Sequence, residues 1–461
     1  MNAHDQLPPV FHPGFAGHIG FARADITPPV GIYSRNWGAA KHDCAESIHR
    51  PLNLTAMVLA NPKTEQRLVF IEGDLSWWRG LENWKSFQAS LLEATGLPPA
   101  ALIFSVTHTH AAPPLMASNR ELPGGELLGP WLDSILTHAI ELVKTATSRC
   151  EPSVLEWHRG SCQLAQNRDM PDPSPGATRR ICGFNPNEAA DSTLLVGRVT
   201  DSAGAVRGVL VNYACHPTTL AFDNRAISPD FVGAMREKIE QETGGLALFL
   251  QGASGELAPR HQYVGEQGVA DQHGEQLGHS VLATLADMQP AQTQLSFTGV
   301  VESGSPLAIW QHQPRTLPGE IKAKTEFVSL PLKDWPTAEA LEVAARECED
   351  RAGQERLVRK LAIRRALGDG SRYELPFWLW QAGDSLWVGA MTEAYSLLQR
   401  NLRQRFPDLA VICLNLINGS IGYLPPAGYY DEDIYQVWQT PFDRGALEEL
   451  IEAAADQISQ F

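Results

Sequence analysis

The sequence predicts a mixed α/β fold: a largely parallel β-sheet core flanked by helices, in one large domain over residues 1–461. Three observations predict it. Short apolar runs alternate with amphipathic helical patterns. The runs are continuous rather than alternating, as in strands covered on both faces. Reactive side chains recur at the carboxyl ends of these runs, where such sheets gather their ligands.

In chain order, residues 1–18 read as a loose arm, and GFARADITPPVG as a short strand entering a Pro-Pro turn. RLVFIEGD (67–74) is a strand ending in an acid, LENWKSFQASLLEATG (81–96) a helix with a glycine stop, and ALIFSVTHTH (101–110) a strand ending in two histidines. The middle repeats the plan. VRGVLVNYACH (206–216) ends in His216, PDFVGAMREKIEQETGG (229–245) is a helix, and LALFLQGASGE (246–256) closes on a glycine-rich turn with Glu256. Residues 294–333 read as strands with loops, and residues 337–367 as one long, charged, solvent-facing helix. RYELPFWLWQAGDSLWVGA (372–390) reads as a hairpin turning at Gly383-Asp384. DSLWVGAMTE (384–393) ends in Glu393, residues 394–406 form a helix, and LAVICLNLINGSIGY (409–423) ends in Tyr423. A loop and a final helix complete the chain. Loops 115–135, 165–190 and 305–325 are expected to shape the pocket.

Composition excludes several classes. The net charge of −16 argues against nucleic acid. Seven scattered cysteines without a CxxC argue for reduced thiols and a cytoplasmic location. A signal peptide and a membrane span are not expected. The sequence leaves the oligomeric state open.

Three strand ends carrying His and Glu suit a zinc site that keeps one position open. In extended chain His108 and His110 point to the same side and can reach one centre. Singly, each residue has a structural alternative. The H-x-H pair can be satisfied by backbone, His216 can be a core histidine, Glu393 half of a buried ion pair, and Tyr423 a packing residue. Their recurrence at equivalent places joins them. GASGELAP (252–259) is not a nucleophile elbow, because Glu256 stands where a second glycine belongs. The aromatic stretches SWW (76–78) and WLWQ (378–381) can line an apolar pocket, but most of their tryptophans read as core.

Several segments in this order resemble the neutral/alkaline ceramidase family of zinc-dependent amidases: RADITPP, VTHTHAAPP, YACHPTTL with AISPDFVGAMR, LFLQGASGELAPR, MTEAYSLL and NGSIGYLPP. The resemblance implies zinc held by His108, His216, Glu393 and Tyr423. It places His110 behind them, Tyr435 beside the substrate carbonyl, and Arg168 of QNRDMP near the same site. Zinc would polarise the scissile carbonyl and acidify a water. Tyr435 and His110 would donate to the developing oxyanion, and His110 would protonate the leaving amine. Asp74 and Asp230 are expected either to orient the metal-bound histidines or to form structural ion pairs.

The sequence also departs from the family. Ala258 stands where the family turn carries a serine, so a mechanism needing that hydroxyl cannot run here. A C-terminal immunoglobulin-like domain is not expected. The expected function is zinc-dependent hydrolysis of a small-molecule N-acyl amide. The alternatives are a zinc hydrolase or esterase of a small cytoplasmic metabolite, and a ligand-binding homologue without turnover.

Overall fold

The apolar runs become the strands of two stacked sheets. The computed structural model describes residues 7–64 and 66–461. The first sheet has eight strands: β1 (Gly14–Asp25), β2 (Asn53–Ala60), β3 (Arg67–Gly73), β4 (Leu102–Val106), β5 (Glu151–Ser161), β6 (Thr193–Asp201), β7 (Val206–Tyr213) and β8 (Leu246–Gln251). Their spatial order is β8-β7-β6-β5-β1-β2-β3-β4. The second sheet, in order β9-β10-β11-β12, comprises β9 (Ile321–Pro331), β10 (Arg372–Ala382), β11 (Ser385–Ala390) and β12 (Ala410–Leu414).

The mixed α/β class is as the sequence predicts, but within the two large sheets parallel pairing is confined to three places. These are β3 with β4, β7 with β8, and β11 with β12. The other pairs are antiparallel, so the core is less parallel than the strand–helix–strand units implied. The reason is that the intervening strands β1, β2, β5 and β6 are joined by connections that reverse direction.

The helices are α1 (Leu81–Thr95), α2 (Leu128–Ser148), α3 (Phe231–Thr243), α4 (Gln267–Ala286), α5 (Ala338–Glu347), α6 (Arg351–Leu367), α7 (Leu397–Arg405), α8 (Tyr435–Gln439) and α9 (Ala446–Ser459). Helix α2 lays Leu128, Trp131, Ile135, Ala139 and Leu142 along one stripe, as a core-facing helix does. It packs on β1 and β2. Gly20 permits that approach, since a Cβ there would lie 2.0 Å from the Ala146 carbonyl. Helices α3 and α4 cover the other half of the sheet through Phe231, Met235, Ile239, Leu277 and Val281. Helices α7 and α9 back the second sheet. Between the sheets, Trp387 of β11 meets Phe70 and Trp157 at ring separations of 5.6 Å each. Removing such a fully buried aromatic costs about 3–5 kcal/mol.

The described part of the expected N-terminal arm is not loose. Residues 14–18 belong to β1, Val10 pairs with Leu295, and His12 is buried with Nε2 accepting from Gln289 N at 2.9 Å. Residues 1–6 lie outside the described residues. The helix expected over 337–367 is two. Asp350 caps α6 by accepting from Gly353 N at 2.6 Å, and a cap ends the helix before it. The expected loop 115–135 contains the start of α2. The region 305–325 is mostly strand, with Pro306–Pro314 pairing Thr293–Glu302 in an exposed hairpin.

The first sheet coils until its edge strands β4 and β8 approach each other. The turn after β12 joins them: Asn415 N donates to Gln251 O at 3.0 Å and Asn418 N to Phe104 O at 2.9 Å. All three parallel pairs therefore deliver their carboxyl ends to one place.

Candidate metal centre

Each donor follows a strand end. His108 lies two residues beyond β4, His216 three beyond β7 and Glu393 three beyond β11. Tyr423 pairs with Glu393 in a short parallel bridge. One donor atom each from His108, His216 and Glu393 lies within 4.8 Å of the others, and all three residues are buried.

Backbone carbonyls set the imidazole tautomers. His108 Nδ1 lies 3.3 Å from Ser76 O, and His216 Nδ1 lies 2.7 Å from Ser254 O and 3.2 Å from Leu257 O. A carbonyl only accepts, so each Nδ1 carries a proton and each Nε2 is the nitrogen turned to the centre, with a lone pair to offer when the ring is neutral. Those Nε2 atoms meet Glu393 Oε2 at 3.4 Å from His108 and 3.0 Å from His216. A proton on His216 does not bridge this gap, because burial and then the neighbouring Arg168 push its pKa down to about 3. Two imidazole nitrogens and a carboxylate facing one point form a donor set that could hold a metal ion.

Arg168 is buried beside this set. Its guanidinium donates to Gly255 O at 2.7 Å and to the Tyr423 hydroxyl at 3.3 Å, and lies 3.4 Å from His216 Nε2. Burial, then Glu393, raises the Tyr423 hydroxyl pKa well above its ordinary value. Tyr435, at the start of α8, packs its ring 5.7 Å from Tyr423. His110 lies 4.8 Å ring to ring from His108, and both its buried nitrogens lack a partner. Burial first, then His108 and His216, pushes its pKa well below the ordinary value. The structure thus brings together His108, His216, Glu393, Tyr423, His110, Tyr435 and Arg168.

The glycine-rich turn is a support. Gly255 packs so close that a Cβ would lie 2.6 Å from Tyr395 and 2.9 Å from Glu393 O. Glu256 accepts from Ser396 N and Oγ, fixing the segment after Glu393. Asp74 and Asp230 do not touch the metal-facing histidines. Asp74 pairs with Arg236 at 2.9 Å, as the ion-pair alternative held. Asp230 accepts from Leu220 N and Phe231 N, shaping the loop beyond His216.

The chain matches no family model. It is 23% identical over 249 residues to the neutral ceramidase of Pseudomonas aeruginosa, covering 52% of this chain. The match spans little more than a third, 37%, of that relative. A solved structure of neutral ceramidase from Pseudomonas aeruginosa superposes with a TM-score of 0.68 at 16% identity, over 98% of this chain and 75% of that one. A structure described as ceramidase complexed with C2 gives a TM-score of 0.68 at 14% identity, over 96% and 74%. The chain shares the fold of these neutral ceramidase structures. The resemblance carried by the short motifs therefore extends to the fold over nearly all of this chain and about three quarters of those structures.

In the outer wall of the centre the pocket-lining alternative for SWW holds for Trp77, whereas Trp37 and Arg359 were missed. Trp77 stands 4.9 Å from His110 and 5.5 Å from His108, while Trp78 is core. Trp37 stands 5.0 Å from His110. Arg359 of α6 sits over Trp77 at 5.1 Å. The SWW triplet was the only available signal. Alternation along the chain separates its two tryptophans, one inward and one toward the site. Trp378 and Trp380 of WLWQ are core, as expected.

Proposed function

We propose that the protein is a zinc-dependent hydrolase of an N-acyl amide, with zinc held by His108, His216, Glu393 and Tyr423. The carrying observation is the pair of imidazole Nε2 atoms aimed at one carboxylate oxygen, 3.0 and 3.4 Å away. Nitrogen and oxygen donors of this kind suit zinc. Likeness to neutral ceramidase supports the amide bond as the target. Seven free thiols support a reducing, cytoplasmic setting.

Bound zinc supplies Lewis acidity and lowers the pKa of a water to about 7. The remaining work falls to the chain. The Ser76, Ser254 and Leu257 carbonyls keep both imidazoles in the metal-binding tautomer. Tyr435, whose hydroxyl stays protonated because burial raises its pKa, donates to the developing oxyanion. His110 is neutral and has two unpartnered nitrogens, so it takes a proton at one and passes it to the leaving amine. Arg168 anchors the Tyr423 hydroxyl and opposes negative charge beside it. Ala258 is buried and offers no hydroxyl, which supports direct attack by water rather than an acyl-enzyme route.

The test is to purify the protein without added metal, measure zinc by elemental analysis, and assay N-acyl amides with and without chelator. The panel includes ceramide and N-acyl amino acids. We expect about one zinc per chain, turnover abolished by chelator, and loss of both zinc and turnover in His108→Ala. Full activity in metal-free protein overturns the reading.

A further inference from the structure

The roof of the metal centre is cationic, although the chain as a whole carries a net charge of −16. Helix α6 lowers Arg359 onto the face of Trp77, and Arg79 approaches the same ring at 5.6 Å. Glu355 lies between these two guanidiniums, 3.1 Å from Arg359 and 3.3 Å from Arg79. Nearby, Arg35 and Arg351 share Asp43. Four guanidiniums therefore divide two carboxylates. Arg79 Nε is buried without any partner.

The cavity that reaches His110 is small and polar. Its volume is about 10 Å³, room for roughly one water, and its lining includes Ser34, Arg35, Asn36, His42 and Asn224. The surplus of guanidiniums over carboxylates beside an aromatic face suits a planar anion, which would share these N–H donors with Glu355.

We propose that the substrate is a short amide bearing a carboxylate, docked against Arg359 and Arg79 on the Trp77 side of the centre. This rests on the amide-hydrolase reading and narrows it. The carboxylate can stand on the amine portion, as in an N-acyl amino acid, or on the acyl portion, as in a succinamate. Both present the same chemistry to the guanidinium pair.

The experiment compares kcat/KM for N-acetylphenylalanine, the N-phenethyl amide of succinic acid, and neutral N-acetylphenethylamine. It uses the zinc-loaded wild type, Arg359→Gln and Arg79→Gln. At least one carboxylate substrate should exceed the neutral amide, and the substitutions should shrink that advantage about 10- to 100-fold, chiefly through KM. The preferred arm identifies which portion carries the anion. Arg359→Lys should restore part of the preference. Calorimetric binding of the same carboxylates, repeated in high salt, gives a readout independent of turnover. Hydrolysis of neutral amides with a ratio that ignores both substitutions overturns the anion site and leaves the hydrolase standing. Arg359-dependent binding of carboxylates without any hydrolysis does the reverse. Preference for ceramide over every carboxylate amide overturns the inference outright.

Discussion

His108 reaches the centre at a backbone cost. Its φ of 68° lies in the left-handed region, which a non-glycine residue occupies at about 1–3 kcal/mol. The sequence made the residue types legible but not this turn. An extended H-x-H would send both rings to one point. Because β4 ends at Val106, the chain turns at His108 instead, and His110 faces Trp37 and Trp77. Asp74 was ambiguous for a related reason, since an acid at a strand end reads alike whether its partner is a histidine or an arginine. Here the partner is Arg236, buried between Asp74 at 2.9 Å and Glu72 at 2.7 Å. Burial first pushes the Glu72 carboxyl pKa up to about 7, although Arg236 opposes it. Arg236→Met leaves two buried carboxylates uncompensated. The expected cost is about 3–5 kcal/mol, read as a lower urea midpoint with an unchanged slope. Wild-type stability in that variant would show that the ion pair does not hold α3 to β3.

Helix α6 is the element that sequence periodicity described least well. Its charged pattern suggested a solvent-facing cover, and it does cover, but what it covers is the metal centre. Only Leu361 and Arg364 of α6 are buried, so little apolar surface holds it. It is fastened by polar contacts: Glu355 to Arg79, Arg359 to Asn36 O at 2.9 Å, and Arg351 to Asp43. Of these, the Arg351–Asp43 pair is exposed and contributes about 0–1 kcal/mol. The centre beneath is closed, with His108 2% and Glu393 9% exposed, so substrate entry requires an element to move. Weakly fastened elements are the ones that open. Gly38 and α6 offer a lock, since a Cβ on Gly38 would stand 3.3 Å from the Ala352 Cβ, near the separation a disulfide needs. The double variant Gly38→Cys with Ala352→Cys should lose most turnover when oxidised and regain it with reductant. Its zinc should also resist chelator while oxidised. Unimpeded turnover in the oxidised form, with the disulfide verified by mass spectrometry, would show that α6 stays in place during catalysis.

At the scale of the molecule, the centre exists only because distant parts of the chain converge. His108 and His216 follow opposite edge regions of the first sheet, and Glu393 and Tyr423 come from the second. Strand ends carrying His and Glu were legible one by one, because each sits at the end of an apolar run. The coiling that brings β4 to β8 was not, since it depends on the turn at Leu416 and Asn418. Both residues have positive φ, 54° and 53°, which no local pattern announces. The Asn418 side chain completes that turn, accepting from Phe104 N at 2.8 Å and donating to Leu102 O at 3.0 Å. An ion that binds only the converged state must stabilise the whole fold by mass action, by about 2.7 kcal/mol at a hundredfold excess over Kd. Thermal unfolding of chelated protein should therefore shift upward on adding zinc, and the shift should grow with zinc concentration. Glu393→Ala should abolish the shift while keeping a cooperative transition, because its other partners are the two histidines. Asn418→Ala should lower stability and weaken zinc binding together, since it loosens the joint between the sheet edges. A zinc-dependent shift of equal size in Glu393→Ala would mean that the ion stabilises the protein from some other place.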